Sequence, residues 1–88
     1  MTKLLFTERA WSHYTYWAET DRRKLKKVND LLKVILRTPH EGIGKPEPLL
    51  GELSGFWSRR IDDEHRLVYR ASDDLVEVVQ CRFNYKSR

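Results

Sequence analysis

The chain has 88 residues and a net charge of +4, which predicts a single small domain over residues 1–88 and favours an anionic partner, either nucleic acid or an acidic protein segment. Its one cysteine, Cys81, excludes an intrachain disulfide, and no apolar run approaches the roughly 20 residues that span a bilayer. Residues 1–6 are too short for an apolar targeting segment, so a cytoplasmic protein without membrane association is the default expectation.

The first part of the chain predicts a short strand followed by a helical hairpin. Residues 3–7 are typical of a strand, and Thr7 is a suitable N-cap for a helix over residues 8–19. Asp21 can cap a second helix, which Pro39 ends. The apolar residues that repeat at helical spacing are Trp11, Tyr14, Trp17 and Ala18 in the first helix and Leu25, Val28, Leu32, Ile35 and Leu36 in the second.

Residues 38–55 hold all three prolines and all four glycines of the chain, so they predict a long loop. Four apolar side chains are expected to anchor it: Ile43, Leu49, Leu50 and Leu53. Within the loop, Glu47 lies between Pro46 and Pro48, whose rings restrict the backbone. Long loops in small domains are often functional, which makes the Glu47 carboxylate a candidate site residue.

After Gly55 the apolar pattern changes to a period of two, which predicts antiparallel strands over residues 56–61, 65–71 and 75–83. With the first strand they form a four-stranded, mainly antiparallel sheet with the helical hairpin on one face, an α+β fold. The odd positions expected in the core are Trp57, Ile61, Leu67, Tyr69, Leu75, Val79, Cys81 and Phe83. The even positions expected on the uncovered face are Ser58, Arg60, Arg66, Arg70, Gln80, Arg82 and Asn84, together with Val68, Val76 and Val78, which a loop or a partner would cover.

Residue spacing gives no metal site, no hydrolase elbow and no phosphate-binding glycine loop, so neither a metal nor a cofactor is predicted. What remains is Glu47 beside an arginine-bearing sheet. An ionised carboxylate can accept a proton, and arginines can neutralise a phosphate, a combination that suits cleavage of RNA by its own 2′-hydroxyl. On spacing alone, a salt bridge at the rim of the sheet is the simpler interpretation.

Longer motifs carry a resemblance along essentially the whole chain. The segments "YWAETDRR", "GIGKPEPL", "LSGFWSRRI" and "EHRLVY", with a final aromatic-polar-tyrosine, resemble the YoeB toxin family of the RelE/ParE superfamily. The resemblance implies a RelE-like fold and a ribosome-dependent endoribonuclease, which cuts mRNA in the A site of the 70S ribosome. It also implies a YefM-like antitoxin, operator DNA bound through the antitoxin complex, and a homodimer that no sequence feature requires.

The resemblance assigns roles to particular residues. Glu47 becomes the general base for the 2′-hydroxyl, Arg66 stabilises the phosphate, Arg60 supports it, and Tyr85 is the terminal tyrosine of the site. Further candidates for contacts with RNA phosphates are Lys45, Arg82 and Arg59, the last of which lies on the core parity and would extend its charged end to the edge.

The chain departs from the family pattern at three places. Asn84 stands where the family usually has the histidine that acts as general acid, and an amide cannot supply a proton. Leu50 stands where the family can carry a lysine, and residues 86–88 follow Tyr85, where they extend toward RNA or remain disordered. Three accounts of Asn84 are open: Tyr85, a ribosomal group or water delivers the proton; the chain is a weakened natural toxin; or Asn84 is a deliberate substitution.

The alternative to an enzyme is a binding module with little chemistry. Such a protein would occupy the ribosome or RNA, or repress its own promoter together with the antitoxin. A gyrase-directed toxin is a more distant alternative, against which the "GKPEP" loop and Arg66 argue.

Overall fold

The computed structural model describes residues 1–85, so the expectation for residues 86–88 lies outside the described part of the chain. Two helices pack on one face of a mixed sheet with the strand order β1-β5-β4-β3-β2, in which β1 runs parallel to β5 and the other pairs are antiparallel. The elements are β1 (Lys3–Phe6), α1 (Glu8–Thr20), α2 (Arg22–Arg37), β2 (Glu47–Pro48), a 3-10 turn (Gly51–Leu53), β3 (Trp57–Arg60), β4 (Arg66–Ser72) and β5 (Leu75–Gln80). The predicted α+β fold is confirmed, and β2 adds a short fifth strand.

Side-chain caps fix where the two helices begin. The Thr7 hydroxyl accepts a hydrogen bond from the backbone N–H of Ala10 at 3.1 Å, and the Asp21 carboxylate accepts from the backbone N–H groups of Arg23 and Lys24. Both caps were predicted. The predicted buried face of α1 is correct at Tyr14 and Trp17 but wrong at Trp11, which is 55% exposed, and it missed the buried His13.

The predicted alternation of side chains holds in β3 and β4. Leu67 and Tyr69 are fully buried under the helices, whereas Ser58, Arg60, Arg66 and Val68 lie on the opposite, uncovered face, as the direct pairing of Ser58 with Val68 and of Arg60 with Arg66 requires. The predicted face is therefore correct for these two strands, although Ser58 and Val68 are buried on it.

The same alternation was wrong in β5. Val76 and Val78 belong to the buried core, although their parity placed them on the uncovered face with Val79 in the core. The cause is a bulge: Tyr69 pairs with Val78 but the preceding Val68 pairs with Gln80, so Val79 is an extra residue. One inserted residue exchanges the two faces of a strand, and a period-two pattern does not reveal it.

The loop over residues 38–55 is anchored mainly by a buried arginine. Of the four apolar anchors predicted, only Leu49 is buried, whereas Leu50 is 86% exposed. The guanidinium of Arg59 instead donates hydrogen bonds to the carbonyls of Thr38, Glu41 and Ile43 at 2.9–3.0 Å. The Tyr69 hydroxyl accepts from Arg59 and donates to the carbonyl of Pro39, which closes the network.

Candidate active site

A cavity of about 220 Å³ opens on the uncovered face of the sheet, where β2, β3, β4 and the segment after β5 meet. Glu47 pairs with Ser58 across β2 and β3, and Arg60 pairs with Arg66 across β3 and β4, so all four side chains leave the same face. The residues that line the cavity are Lys45, Glu47, Ser58, Arg60, Arg66, Asn84 and Tyr85.

The turn before β2 delivers Lys45 and Glu47 to this cavity. The carbonyl of Gly44 accepts a hydrogen bond from the backbone N–H of Arg60 at 2.7 Å. Gly44 has a φ of +87°, and a Cβ atom there would lie 2.7 Å from a methyl group of Leu31. Only glycine therefore lets the chain pass this close to α2, and this approach places Glu47 beside β3.

A tight turn between β3 and β4 holds Arg66. The Nη1 atom of Arg66 donates to the carbonyls of Asp62 at 2.7 Å and His65 at 3.1 Å. The Asp62 carboxylate accepts from the backbone N–H groups of Glu64 and His65 and forms an ion pair with Lys24 at 3.0 Å. Burial opposes ionisation of Asp62, but these hydrogen bonds outweigh it and lower the pKa of the carboxyl, so the turn is held by a charged group.

The segment after β5 turns back to reach the cavity. The indole Nε1 of Trp17 donates to the carbonyl of Cys81 at 2.7 Å, and the backbone N–H of Cys81 donates to Nδ1 of His13. Burial, together with the nearby charges of Arg9 and Arg82, lowers the pKa of His13 to about 4, so this ring remains a neutral acceptor.

Phe83 completes this turn. It has a φ of +70° and is 40% exposed, so the prediction that it lies in the core was wrong. β5 ends at Gln80, and Asn84 and Tyr85, which follow the left-handed Phe83, line the cavity.

A larger groove of about 670 Å³ adjoins the cavity, and Glu47 and Tyr85 stand on the boundary between them. Its other walls come from the loop that follows β2: Pro48, Leu49, Leu50, Glu52 and Leu53. The groove gives room for an extended ligand to continue past the cluster of charges.

Six of the eight predicted site residues line the cavity, but Arg59 and Arg82 do not. Arg59 is fully buried on the opposite face, and its guanidinium donates to the loop carbonyls, so the structure does not bring it to the predicted site. The odd position of Arg59, on the core face, already indicated this placement. Four hydrogen-bond acceptors satisfy its guanidinium inside the protein, so the side chain does not extend to the edge of the sheet.

Arg82 is held by aromatic rings beside α1. Its guanidinium carbon lies 3.5 Å from the centroid of the Tyr16 ring and 4.4 Å from that of Phe83. The buried Nε atom finds no hydrogen-bond acceptor among residues 1–85. These cation–π contacts, rather than the cavity, occupy Arg82, so the structure does not bring it to the predicted site.

Ser58 is the cavity residue that sequence reasoning missed as a candidate. It is buried, lines the cavity and lies directly opposite Glu47. Its even parity placed it on the correct face. Its pairing with Glu47 was not predictable, because β2 has only two residues and is too short to recognise in the sequence. Within residues 1–85 no cluster of metal-binding side chains occurs, and no helix is long and apolar enough to cross a membrane.

Comparison with known proteins defines the class to which this fold and cavity belong. A family described as the YoeB-like toxin of bacterial type II toxin–antitoxin systems matches residues 6–85. Toxin YoeB of Escherichia coli strain K12 is 57% identical over 83 residues, which cover 94% of this chain and 99% of that toxin. The chain therefore belongs to the YoeB-like toxin family.

Solved structures agree with this family. A YoeB/ParE toxin from Agrobacterium tumefaciens matches with a TM-score of 0.92 and 51% identity, covering 96% of this chain and 100% of that one. YoeB of Staphylococcus aureus was solved in a complex with YefM; the toxin matches with a TM-score of 0.88 and 41% identity, covering 97% of this chain and 99% of that one. A YoeB dimer from Staphylococcus aureus has also been solved, and it matches with a TM-score of 0.89 and 42% identity, covering 96% of this chain and 98% of that one.

Proposed function

We propose that this toxin is an endoribonuclease that cuts mRNA in the A site of the 70S ribosome and so inhibits translation. The observation that carries the proposal is the convergence of one carboxylate, two arginines and one lysine on a single small cavity: Glu47, Arg60, Arg66 and Lys45. Three cations around one carboxylate suit a phosphodiester that gains negative charge during the reaction.

The proposed reaction needs no metal. The Glu47 carboxylate takes the proton of a ribose 2′-hydroxyl, and the 2′-oxygen attacks the adjacent phosphorus. Arg66, with Nη1 fixed on two carbonyls, neutralises the non-bridging oxygens together with Arg60. The bond from phosphorus to the 5′-oxygen then breaks, which yields a 2′,3′-cyclic phosphate and, once the leaving oxygen gains a proton, a 5′-hydroxyl.

Asn84 favours a second candidate function. It lines the cavity at the position where the family pattern has its general acid, and an amide has no proton to give. In the enzyme, Tyr85, a ribosomal group or water supplies that proton at a lower rate. In the alternative, the chain is a weakened toxin that binds the ribosome or RNA, or acts with an antitoxin as a co-repressor.

A YefM-like antitoxin is the proposed partner, because an S. aureus relative forms such a complex. A groove of about 300 Å³ could receive an antitoxin segment; its lining combines Leu53, Phe56, Val68 and Val79 with Thr7, Arg9 and Gln80. Of the valines predicted to meet a partner on the uncovered face, Val76 and Val78 are excluded, since both are buried in the core. Operator DNA binding through the complex and a homodimer remain part of the proposal.

The direct test adds purified toxin to translating ribosomes and maps the ends of the mRNA. We expect cuts within the A-site codon that fall about 10²- to 10⁴-fold in rate in Glu47→Gln, because the general base is lost. Glu19→Gln, an exposed change on α1, is the matched control and should cleave like the parent. Stalled ribosomes carrying intact message in the parent would instead support the binding module.

A further inference from the structure

Both backbone groups of Phe83, its N–H and its carbonyl, form hydrogen bonds. Its N–H donates to Nδ1 of His65 at 2.8 Å. Its carbonyl accepts from the backbone N–H of Arg66 at 3.0 Å and from the side-chain amide of Gln80 at 3.1 Å. Because Phe83 is the left-handed residue directly before Asn84, the orientation of its backbone sets where Asn84 and Tyr85 go.

The His65 ring is itself fixed by its surroundings. It packs edge-on against Trp17, with 4.9 Å between the ring centroids, and its side chain is only 12% exposed. Nε2 lies 3.6 Å from the carboxylate of Glu64. An imidazole that accepts at Nδ1 carries its hydrogen on Nε2, so Glu64 faces the nitrogen that donates.

His65 also holds Arg66, through a different atom. Its carbonyl accepts from Nη1 of Arg66 at 3.1 Å. One residue therefore contacts the arginine through its backbone and the segment that carries Asn84 and Tyr85 through its ring, although His65 is not among the residues that line the cavity.

We propose that His65 is a positioning residue, whose imidazole accepts the Phe83 N–H and thereby places Asn84 and Tyr85 beside Arg66. The kinetic part of this inference rests on the proposed function; the structural part does not. Loss of the acceptor leaves the Phe83 N–H without its partner, and the segment leaves its productive position more often. Misplacement by about 1 Å can cost roughly 10²-fold in rate.

Two substitutions separate the acceptor from the ring. His65→Asn offers an amide oxygen close to the position of Nδ1 but removes the ring, whereas His65→Phe keeps a ring against Trp17 but removes the acceptor. We expect His65→Phe to lower the single-turnover cleavage rate by about tenfold or more, with the half-saturating ribosome concentration unchanged, and His65→Asn to stay within about threefold of the parent. His40→Phe, on an exposed ring that stacks on Trp57, is the control and should match the parent.

The opposite order of rates, or His65→Phe as fast as the parent, would overturn the proposal. Hydrogen exchange of backbone amides in the free, full-length protein tests the positioning role of His65 independently of catalysis. We expect the Phe83 amide to be protected in the parent and in His65→Asn but to exchange rapidly in His65→Phe, with the Cys81 amide protected in all three as a check on folding. Equal protection of Phe83 in His65→Phe would reject the positioning role.

The parent alone supplies a last check, which does not depend on whether a variant folds. A scalar coupling between the Phe83 amide nitrogen and Nδ1 of His65 is expected across the hydrogen bond. A hydrogen on Nδ1 of His65 under assay conditions would overturn the proposal. If the parent fails to cleave mRNA but shows this coupling, the proposed function fails and the positioning role stands.

Discussion

Arg60 and Arg66 are direct cross-strand partners, so β3 and β4 carry two arginines opposite each other on the uncovered face. Like charges directly opposite each other destabilise a sheet. Both side chains line the same cavity as Lys45 and Glu47, where a bound phosphate would offset part of the excess positive charge. We therefore expect the pair to cost stability in the free protein and to stabilise a bound phosphate.

Arg60→Gln tests this conflict between stability and function. Removal of one of two opposed charges should raise the free energy of unfolding by about 0.2–1 kcal/mol, whereas cleavage should fall because the phosphate loses a partner. Urea denaturation and single-turnover cleavage measure the two effects. Arg70→Gln is the matched control, since Arg70 pairs with Glu77 at 2.8 Å and its loss should not stabilise the sheet. A destabilised Arg60→Gln protein would contradict the interpretation of the pair.

Asn84→His should restore a general acid at the cavity. We expect cleavage to rise by at least about tenfold, because an imidazolium can protonate the leaving 5′-oxygen and an amide cannot. The gain should be larger near about pH 6 than near about pH 8, since only the protonated ring acts as an acid. Asn84→Gln serves as the control, with no expected gain. A histidine variant no faster than the parent would show that this position is not that of the acid.

Arg59→Met should unfold the loop that carries the base rather than weaken RNA contacts directly. The substitution leaves the carbonyls of Thr38, Glu41 and Ile43 without their donor, so we expect a loss of about 2–4 kcal/mol in the free energy of unfolding. Urea denaturation measures it, with the exposed Arg37→Met as control. An unchanged stability accompanied by weaker ribosome binding would instead return Arg59 to the set of RNA contacts.

Local signals made much of the fold predictable. Thr7 and Asp21 begin the helices as their capping chemistry requires, and alternation placed Arg60 and Arg66 on one face. The bulge at Val79 was not predictable, because an extra residue changes the register without changing the composition of the strand. The core histidine His13 was missed because its hydrogen bond to Cys81 joins residues that are far apart in sequence.

The candidate site was predictable as a set of residue types but not as a shape. The family motifs supplied Glu47, Arg66 and Tyr85, and the structure groups them at one cavity. The reversal at Phe83 and the acceptor on His65 have no local signature, since φ values and tertiary hydrogen bonds are set by packing between distant segments.

The chemistry of the cut ends tests the central claim most directly. If Glu47 activates a ribose 2′-hydroxyl beside Arg66, fragments from ribosome-bound mRNA should carry a 2′,3′-cyclic phosphate upstream and a 5′-hydroxyl downstream. Mass spectrometry of the isolated fragments identifies both ends. Fragments that end in a 3′-hydroxyl and begin with a 5′-phosphate would show that water is the nucleophile, and would contradict the role given to this cavity.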